Sequence, residues 1–366
     1  MKAALLSAPK SRLEVVDDIV QDAPGPGQVQ VRVSHCGLCH SDLSLIDGAF
    51  PAPLPIILGH EAAGVVEAIG DQVDSLAVGD PVVLTPCPPC GTCYFCVRGD
   101  TSVCEKTIGL ATGTFADGST GLRRGGETVY RGLNVGAFAQ SVLTTATGAV
   151  KIDADVPLDV ACVIGCAVQT GVGAVLHTAG VEAGATVLVM GLGGIGLSVV
   201  QGARLAGAAR IFASDPVPER RAVAKNLGAT DLIDPAKDDV VALVREATVV
   251  GVDYAFEAAG FASLVTTGFF ATRNGGTTVC VGAAAIEEKI EIAPAALFTA
   301  SGKKLLGCVL GSVNSLLEIP RMIALWKAGH IDLEALITRK RPLEEINEAL
   351  DDLRAGRGIR TVLSMG

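Results

Sequence analysis

The segment ATVLVMGLGGIGLSVVQGARLAG restricts the fold more than any other. An apolar, strand-like run gives way at Gly191-Leu192-Gly193-Gly194-Ile195-Gly196 to a helix-like stretch. In that context the first glycine permits a tight turn, the second lets the backbone approach a pyrophosphate, and the third lets helix and strand pack closely. Free N–H groups at the start of the helix then face the phosphates. Asp215 closes the next apolar run, nineteen positions beyond Gly196, where a carboxylate can accept hydrogen bonds from an adenosine ribose. A 2′-phosphate there would meet like charge, so NAD is expected over NADP, although Arg220 and Arg221 keep the phosphorylated cofactor open. The alternative is a ligand-free glycine turn followed by an acid that merely begins a loop.

Downstream of residue 166 the same rhythm continues. ARIFASD, PERRAVAKNLGA, VDYAFEAAG and TTVCVGA alternate strand-like and helix-like runs, which predicts a parallel sheet with right-handed crossovers. Between residue 29 and about 150 the runs are short (VQVRV, GVVEAIG, DPVVL) and punctuated by glycine and proline, as small strands and irregular connections require. Beyond residue 310 come helix-like runs (SLLEIPRMIALWKAG, LEEINEALDDLRAG) and a strand-like end, IRTVLS, placed to rejoin the first part. The expected fold is α/β: a Rossmann-type doubly wound parallel sheet over residues 168–309 and a mostly β domain from residues 1–167 and 310–366.

With 29 Lys+Arg against 39 Asp+Glu the formal net charge is −10, which argues against nucleic acid, whose backbone requires a basic face. A mean hydropathy of +0.46 raises the question of a membrane span, and residues 183–203 are uncharged over sufficient length. Six glycines interrupt that segment, so strand, turn and helix are expected there instead. The N-terminus, MKAALLSAPK, has too short an apolar stretch for an export signal, and secretion is not expected. Eleven cysteines without such a signal point to metal or catalysis in a reducing compartment, the cytoplasm.

Cys90, Cys93, Cys96 and Cys104 fall at gaps of three, three and eight in CGTCYFCVRGDTSVC. A loop that folds back so tightly can bring four thiolates into the tetrahedron that zinc accepts, leaving no position for substrate. Such a lobe, residues 87–104, would be held by metal where it lacks a core. Redox thiols and an iron–sulfur cluster are the other uses of four cysteines. Cys87 lies outside the pattern.

Three more segments carry metal-capable residues: GLCHSD (Cys39, His40, Ser41, Asp42), LGHEAAG (His60, Glu61) and IGCAVQTG (Cys166). Spacing cannot assemble residues so far apart, and taken singly each is an ordinary buried thiol or scaffold histidine. Cys36-Gly37-Leu38-Cys39-His40 also fits the C-x-x-C-H pattern of haem attachment and resembles a redox pair. The missing export signal speaks against haem.

In order, GLCHSD, GHEAAGVVEAIG, the four-cysteine lobe, GCAVQTG, GLGGIG and the tail GIRTVLS resemble the zinc-dependent alcohol dehydrogenases of the medium-chain dehydrogenase/reductase family over nearly the whole chain. The resemblance implies a GroES-like catalytic domain with two zinc ions per subunit. One is structural, in the lobe. The other is catalytic, held by Cys39, His60 and Cys166 with a fourth position open to water or substrate. Asp42 would support His60 from its other ring nitrogen, and Glu61 would lie behind the metal as a transient ligand. Zinc would lower the pKa of an alcohol whose carbon then gives hydride to C4 of the nicotinamide. Ser41 would take the proton and hand it to the cofactor ribose; many relatives then use a histidine five positions after the zinc cysteine, where this chain has Ser44. By the same resemblance His40 and Arg360 would face the pyrophosphate, Thr170 would contact the nicotinamide ring, and Val281 would belong to the cofactor site. His35, His177 and His330 match no family site.

Glutathione-dependent formaldehyde dehydrogenases share this architecture and hold the adduct's carboxylate with an arginine four positions after the last lobe cysteine. Ile108 stands there, which favours uncharged, mainly apolar primary alcohols, allylic or benzylic ones among them. Polyol dehydrogenases of the family usually place Glu where this chain has Cys166. A non-catalytic, zinc-stabilised NAD-binding protein is the alternative from another class, but no structural demand calls for an open metal position. The long segment 105–135 is like that of the family's dimeric branch, so a homodimer joined by sheet edges near VCVGA and LLGCVL is expected by analogy.

Overall fold

The alternating VQVRV run forms the strand Gln28–Gly37, in which Val29, Val31 and Val33 are buried and Arg32 is exposed, as a period of two dictates. In the computed structural model, which describes residues 1–366, this strand is the spine of a seven-stranded sheet. Its order is Ala149–Lys151, Pro81–Leu84, Glu61–Ile69, Gln28–Gly37, Arg360–Ser364 and Ile337–Pro342, with Ser141–Thr145 also paired to the spine. A four-stranded sheet, Tyr130–Arg131, Ile56–Ile57, Ala3–Leu6 and Glu14–Val16, shares its core, where Leu5, Ile57, Phe138 and Leu363 are fully buried. The C-terminal strand lies antiparallel to the spine, with Leu363 opposite Cys36.

The chain divides into two units. The first comprises Met1–Ala167, Asn314–Gly329 and Ile337–Gly366, the second Val168–Val313 and His330–Leu336. The second unit is a parallel sheet of six strands: Thr186–Met190, Arg210–Ser214, Asp231–Ile233, Val252–Glu257, Thr272–Cys280 and Lys304–Gly307. Numbered along the chain they lie in the order 3-2-1-4-5-6, so the order reverses between the first and the fourth, which is where such sheets receive ligands at their carboxyl ends. Val187, Leu188 and Val189 are all buried, because helices cover both faces of a parallel sheet. The uncharged segment 183–203 resolves into the strand Thr186–Met190 and most of the helix Gly194–Leu205; no single helix is long and apolar enough to cross a membrane.

Candidate metal centre and dinucleotide site

Antiparallel pairing solves the assembly problem that spacing leaves open. Gly37 is opposite Glu61, so Cys39, two residues past the end of one strand, meets His60, one residue before the start of the other. A short helical turn, Cys162–Gly165, delivers Cys166; Gly165 packs so closely that a Cβ there would lie 2.5 Å from the Leu84 carbonyl oxygen. The ligand atoms of Cys39, His60, Glu61 and Cys166 all fall within 4.8 Å of one another.

Asp42, fully buried, ties this centre together. As the third residue of the helix His40–Ile46 it accepts the Cys39 N–H on Oδ2 at 3.1 Å, while Oδ1 accepts the Gly59 N–H at 3.0 Å and faces His60 Nδ1 at 3.3 Å. One carboxylate therefore fixes both ligand-bearing segments and leaves His60 Nε2 for the thiols. Gly59 has to be glycine: its φ is +90°, and a Cβ would sit 2.7 Å from the Phe138 nitrogen. Ser41 Oγ lies 3.7 Å from Cys39 Sγ, whereas Ser44 donates its hydroxyl to the His40 carbonyl at 3.1 Å. His40 itself is exposed at the first position of the helix.

Glu61 is fully buried, with Oε1 accepting the Ala167 N–H at 3.2 Å and Oε2 lacking a hydrogen-bond partner. Burial pushes its carboxyl up to about 8, with the neighbouring Arg360 charge opposing. Arg360 is 4% exposed, its Nη1 donating to the Leu38 carbonyl and its Nε standing 3.4 Å from Glu61 Oε2. The buried carboxylate and thiols need a counter-charge, and the pairing of the Arg360–Ser364 strand with Gly37 supplies one from behind. Two thiols, an imidazole and an orphaned carboxylate oxygen form a donor set that suits zinc.

The lobe is the second cluster. The ligand atoms of Cys90, Cys93, Cys96 and Cys104 lie within 4.8 Å of one another, with Cys90–Cys96 and Cys93–Cys104 sulfur separations of 4.0 and 3.8 Å. Metal–sulfur bonds of about 2.3 Å in a tetrahedron give sulfur separations of about 3.8 Å, so one zinc fits. Backbone N–H groups of Cys90, Cys93 and Cys96 each donate to a sulfur at 3.4 Å, which favours the thiolate form that a metal takes. Cys87 stays outside, its thiol pushed up to about 12 by burial. Cys36 is fully buried in the strand, and all eleven cysteines are free.

In the second unit the glycine turn meets tight steric demands. Gly191 turns at φ +87°, and a Cβ on Gly196 would lie 1.7 Å from the Gly191 carbonyl oxygen, which fixes the close approach of helix and turn. Gly193 has nothing within 4 Å of its Cβ position, an open cradle for a phosphate, and it is followed by Gly194 and Ile195 at the helix start. Asp215, 3% exposed, accepts the Leu192 N–H on Oδ2 at 2.7 Å and the Val217 N–H on Oδ1 at 2.8 Å, which leaves lone pairs for a ribose. Arg221 is held by Asp234 at 3.1 Å and by the Asp215 carbonyl at 2.5 Å, and Arg220 Nη1 stands 3.9 Å from Asp215 Oδ2. Thr170 is 5% exposed with its hydroxyl unpartnered, as a hydroxyl reserved for a ligand would be. The Val281 N–H donates to the Glu257 carbonyl.

Glu257 escaped the sequence reading. It ends the fourth strand as Asp215 ends the second, and its Oε1 gathers the N–H groups of Ala259, Gly260 and Phe261 at 2.8, 2.6 and 3.3 Å. The loop so held packs on Gly191, whose Cβ position is 2.8 Å from the Ala259 nitrogen. The signal was available: an acid closing an apolar run, in VDYAFEAAG.

Residues 25–154 match the family described as alcohol dehydrogenase GroES-like domain, and residues 194–327 the family described as zinc-binding dehydrogenase. The chain is similar to an NDMA-dependent alcohol dehydrogenase of Amycolatopsis methanolica, 38% identical over 365 residues that cover 99% of this chain and 98% of the relative. Among solved structures it is similar to an alcohol dehydrogenase zinc-binding domain protein of Burkholderia ambifaria, with 37% identity, a TM-score of 0.94, and coverage of 100% of this chain and 98% of that one. It is also similar to the benzyl alcohol dehydrogenase of Acinetobacter calcoaceticus, with 32% identity, a TM-score of 0.94, and coverage of 100% and 99%.

Proposed function

Because the chain belongs to the zinc-type alcohol dehydrogenases of the medium-chain dehydrogenase/reductase family, we propose that it interconverts uncharged, mainly apolar primary alcohols and their aldehydes, with NAD as hydride acceptor. It is an oxidoreductase acting on alcohols. The observation that carries the finer assignment is the convergence of Cys39, His60 and Cys166 with Ser41 beside them. Those three side chains would hold the catalytic zinc, and the lobe cysteines a structural one. The bound groups supply Lewis acidity toward an alcohol oxygen and a hydride acceptor.

The chain's own residues do the rest. Ser41 is the hydroxyl positioned to take the substrate proton. Asp42 holds His60 in one tautomer and fixes the Cys39 backbone, so the donor set is preorganised. Arg360 lies behind it, its Nε 3.4 Å from Glu61 Oε2. Asp215 and the Gly191–Gly196 turn would take the adenosine ribose and the pyrophosphate, with His40, Thr170, Val281 and Arg220 as further cofactor contacts. Ile108, 55% exposed where an arginine would hold an adduct's carboxylate, favours uncharged substrates, and the similarity to a benzyl alcohol dehydrogenase supports aromatic ones. Eleven free cysteines support a reducing compartment, the cytoplasm, and the edge strand Lys304–Gly307 supports a homodimer.

The similarity to an NDMA-dependent enzyme favours a second reading, in which NDMA replaces NAD as the external acceptor. Purified protein of known zinc content, offered alcohols of graded size, charge and aromaticity, separates the two: NADH formation at 340 nm supports the first, turnover only with NDMA the second. Silence with both acceptors at full zinc loading leaves the non-catalytic binding protein.

A further inference from the structure

Arg131 is 1% exposed in the first unit, on a strand that pairs with Ile56–Ile57 just ahead of His60, and no carboxylate accompanies it. Its guanidinium lies 3.7 Å over the Phe115 ring and its Nη2 donates to the Asn134 carbonyl at 2.7 Å, but Nε and Nη1 have no hydrogen-bond partner. Burial pulls this guanidinium down to about 9, with no carboxylate to hold it up. A buried cation with two idle donors lowers stability until an acceptor of opposite charge arrives. The same side chain borders a cavity of about 90 Å³, together with exposed Lys106 and the threonines Thr144, Thr145 and Thr147. Two cations and no carboxylate line it. Cys90 also borders it, but no sulfur reaches Nε or Nη1.

We infer that this cavity binds a small oxyanion, a carboxylate or a phosphate group, with Arg131 as its buried cation and Lys106 at its rim. The walls contributed by Pro88 and buried Phe115 are apolar, which lowers the dielectric around the guanidinium and strengthens a charge–charge contact there. This site is separate from the alcohol chemistry and does not depend on it.

Thermal melts of the full-length protein at constant ionic strength, titrated with sodium acetate and separately with inorganic phosphate, test it. A saturable rise in Tm is expected with the anion that fits. Acetate alone identifies a carboxylate site and phosphate alone a phosphate site. Lys106→Ala, a surface change that leaves the fold intact, is expected to weaken the apparent affinity about 5- to 10-fold. Arg131→Met is expected to abolish the response. A Tm indifferent to both anions, or one that responds identically in wild type and Lys106→Ala, overturns the site.

Discussion

Asp42 does more than its sequence position implies. Its two oxygens serve the Cys39 backbone, the Gly59 backbone and the His60 ring, so a single carboxylate sets the distance between two ligand-bearing segments. Asp42→Asn is expected to lower affinity for the centre's metal by about 10- to 100-fold, read by chelator competition, while the lobe's metal stays bound. An unchanged affinity at the centre would deny Asp42 this role. Ser44 marks the opposite case. Its hydroxyl is turned onto the His40 carbonyl, so the side chain standing where many relatives have a histidine is already engaged as a donor. The pH profiles of kcat for wild type and Ser44→His are therefore expected to differ in position or steepness with activity retained in both, and coincident profiles count against this. Of the residues at the centre, the motifs exposed Cys39, His60 and Asp42, but the inward turn of Arg360 was not legible. Its direction depends on where the buried negative groups come to lie, and those are set by strands far apart in the chain.

At the scale of elements, the glycine turn makes a contrast that separates folding from binding. Gly196→Ala is expected to disrupt both, since the added carbon collides with the Gly191 carbonyl. Gly193→Ala meets nothing in the protein and is expected to shift stability by no more than about 0.5 kcal/mol while weakening dinucleotide binding at least about tenfold. Titration calorimetry and thermal melts read the two separately; Gly193→Ala with full dinucleotide affinity would remove the phosphate cradle. A second prediction belongs to the helix Ile346–Arg354, where Asp352 meets Arg357 at 2.7 Å and Arg341 at 2.9 Å and also pairs with Arg339. The hydrogen bond from Arg357, with those of Arg341 and Arg339, holds the Asp352 carboxyl down at about 2. An aspartate in the unfolded chain titrates near 3.9, so this stabilisation is present in full above about pH 4 and is lost as pH falls through about 2. Asp352→Asn is expected to cost about 1–2 kcal/mol at neutral pH, allowing for solvent around the partly exposed arginines, and progressively less toward pH 2. A stability difference that does not change with pH would contradict it.

For the whole molecule, the alternation of strands and helices in the parallel sheet follows from rhythms that run through contiguous sequence, whereas its 3-2-1-4-5-6 order and the mixed sheet do not. The oligomeric state does not, and light scattering that returned a tetramer would overturn the homodimer proposed from the free sheet edge. What the sequence determined alone was local: the glycine turn with its acid, and the four-cysteine lobe, where all the partners lie within a few turns of one another. Their geometry is enforced by backbone sterics and short loop closure, which a motif encodes completely. Tertiary structure decided the rest. It brought Cys39, His60 and Cys166 to one point through strand register, faced Arg360 toward Glu61, made Glu257 the anchor of the loop beside Gly191, and enclosed Arg131 with two donors unpartnered. Contacts between distant segments depend on which strand ends become neighbours, and that is fixed only when the core closes.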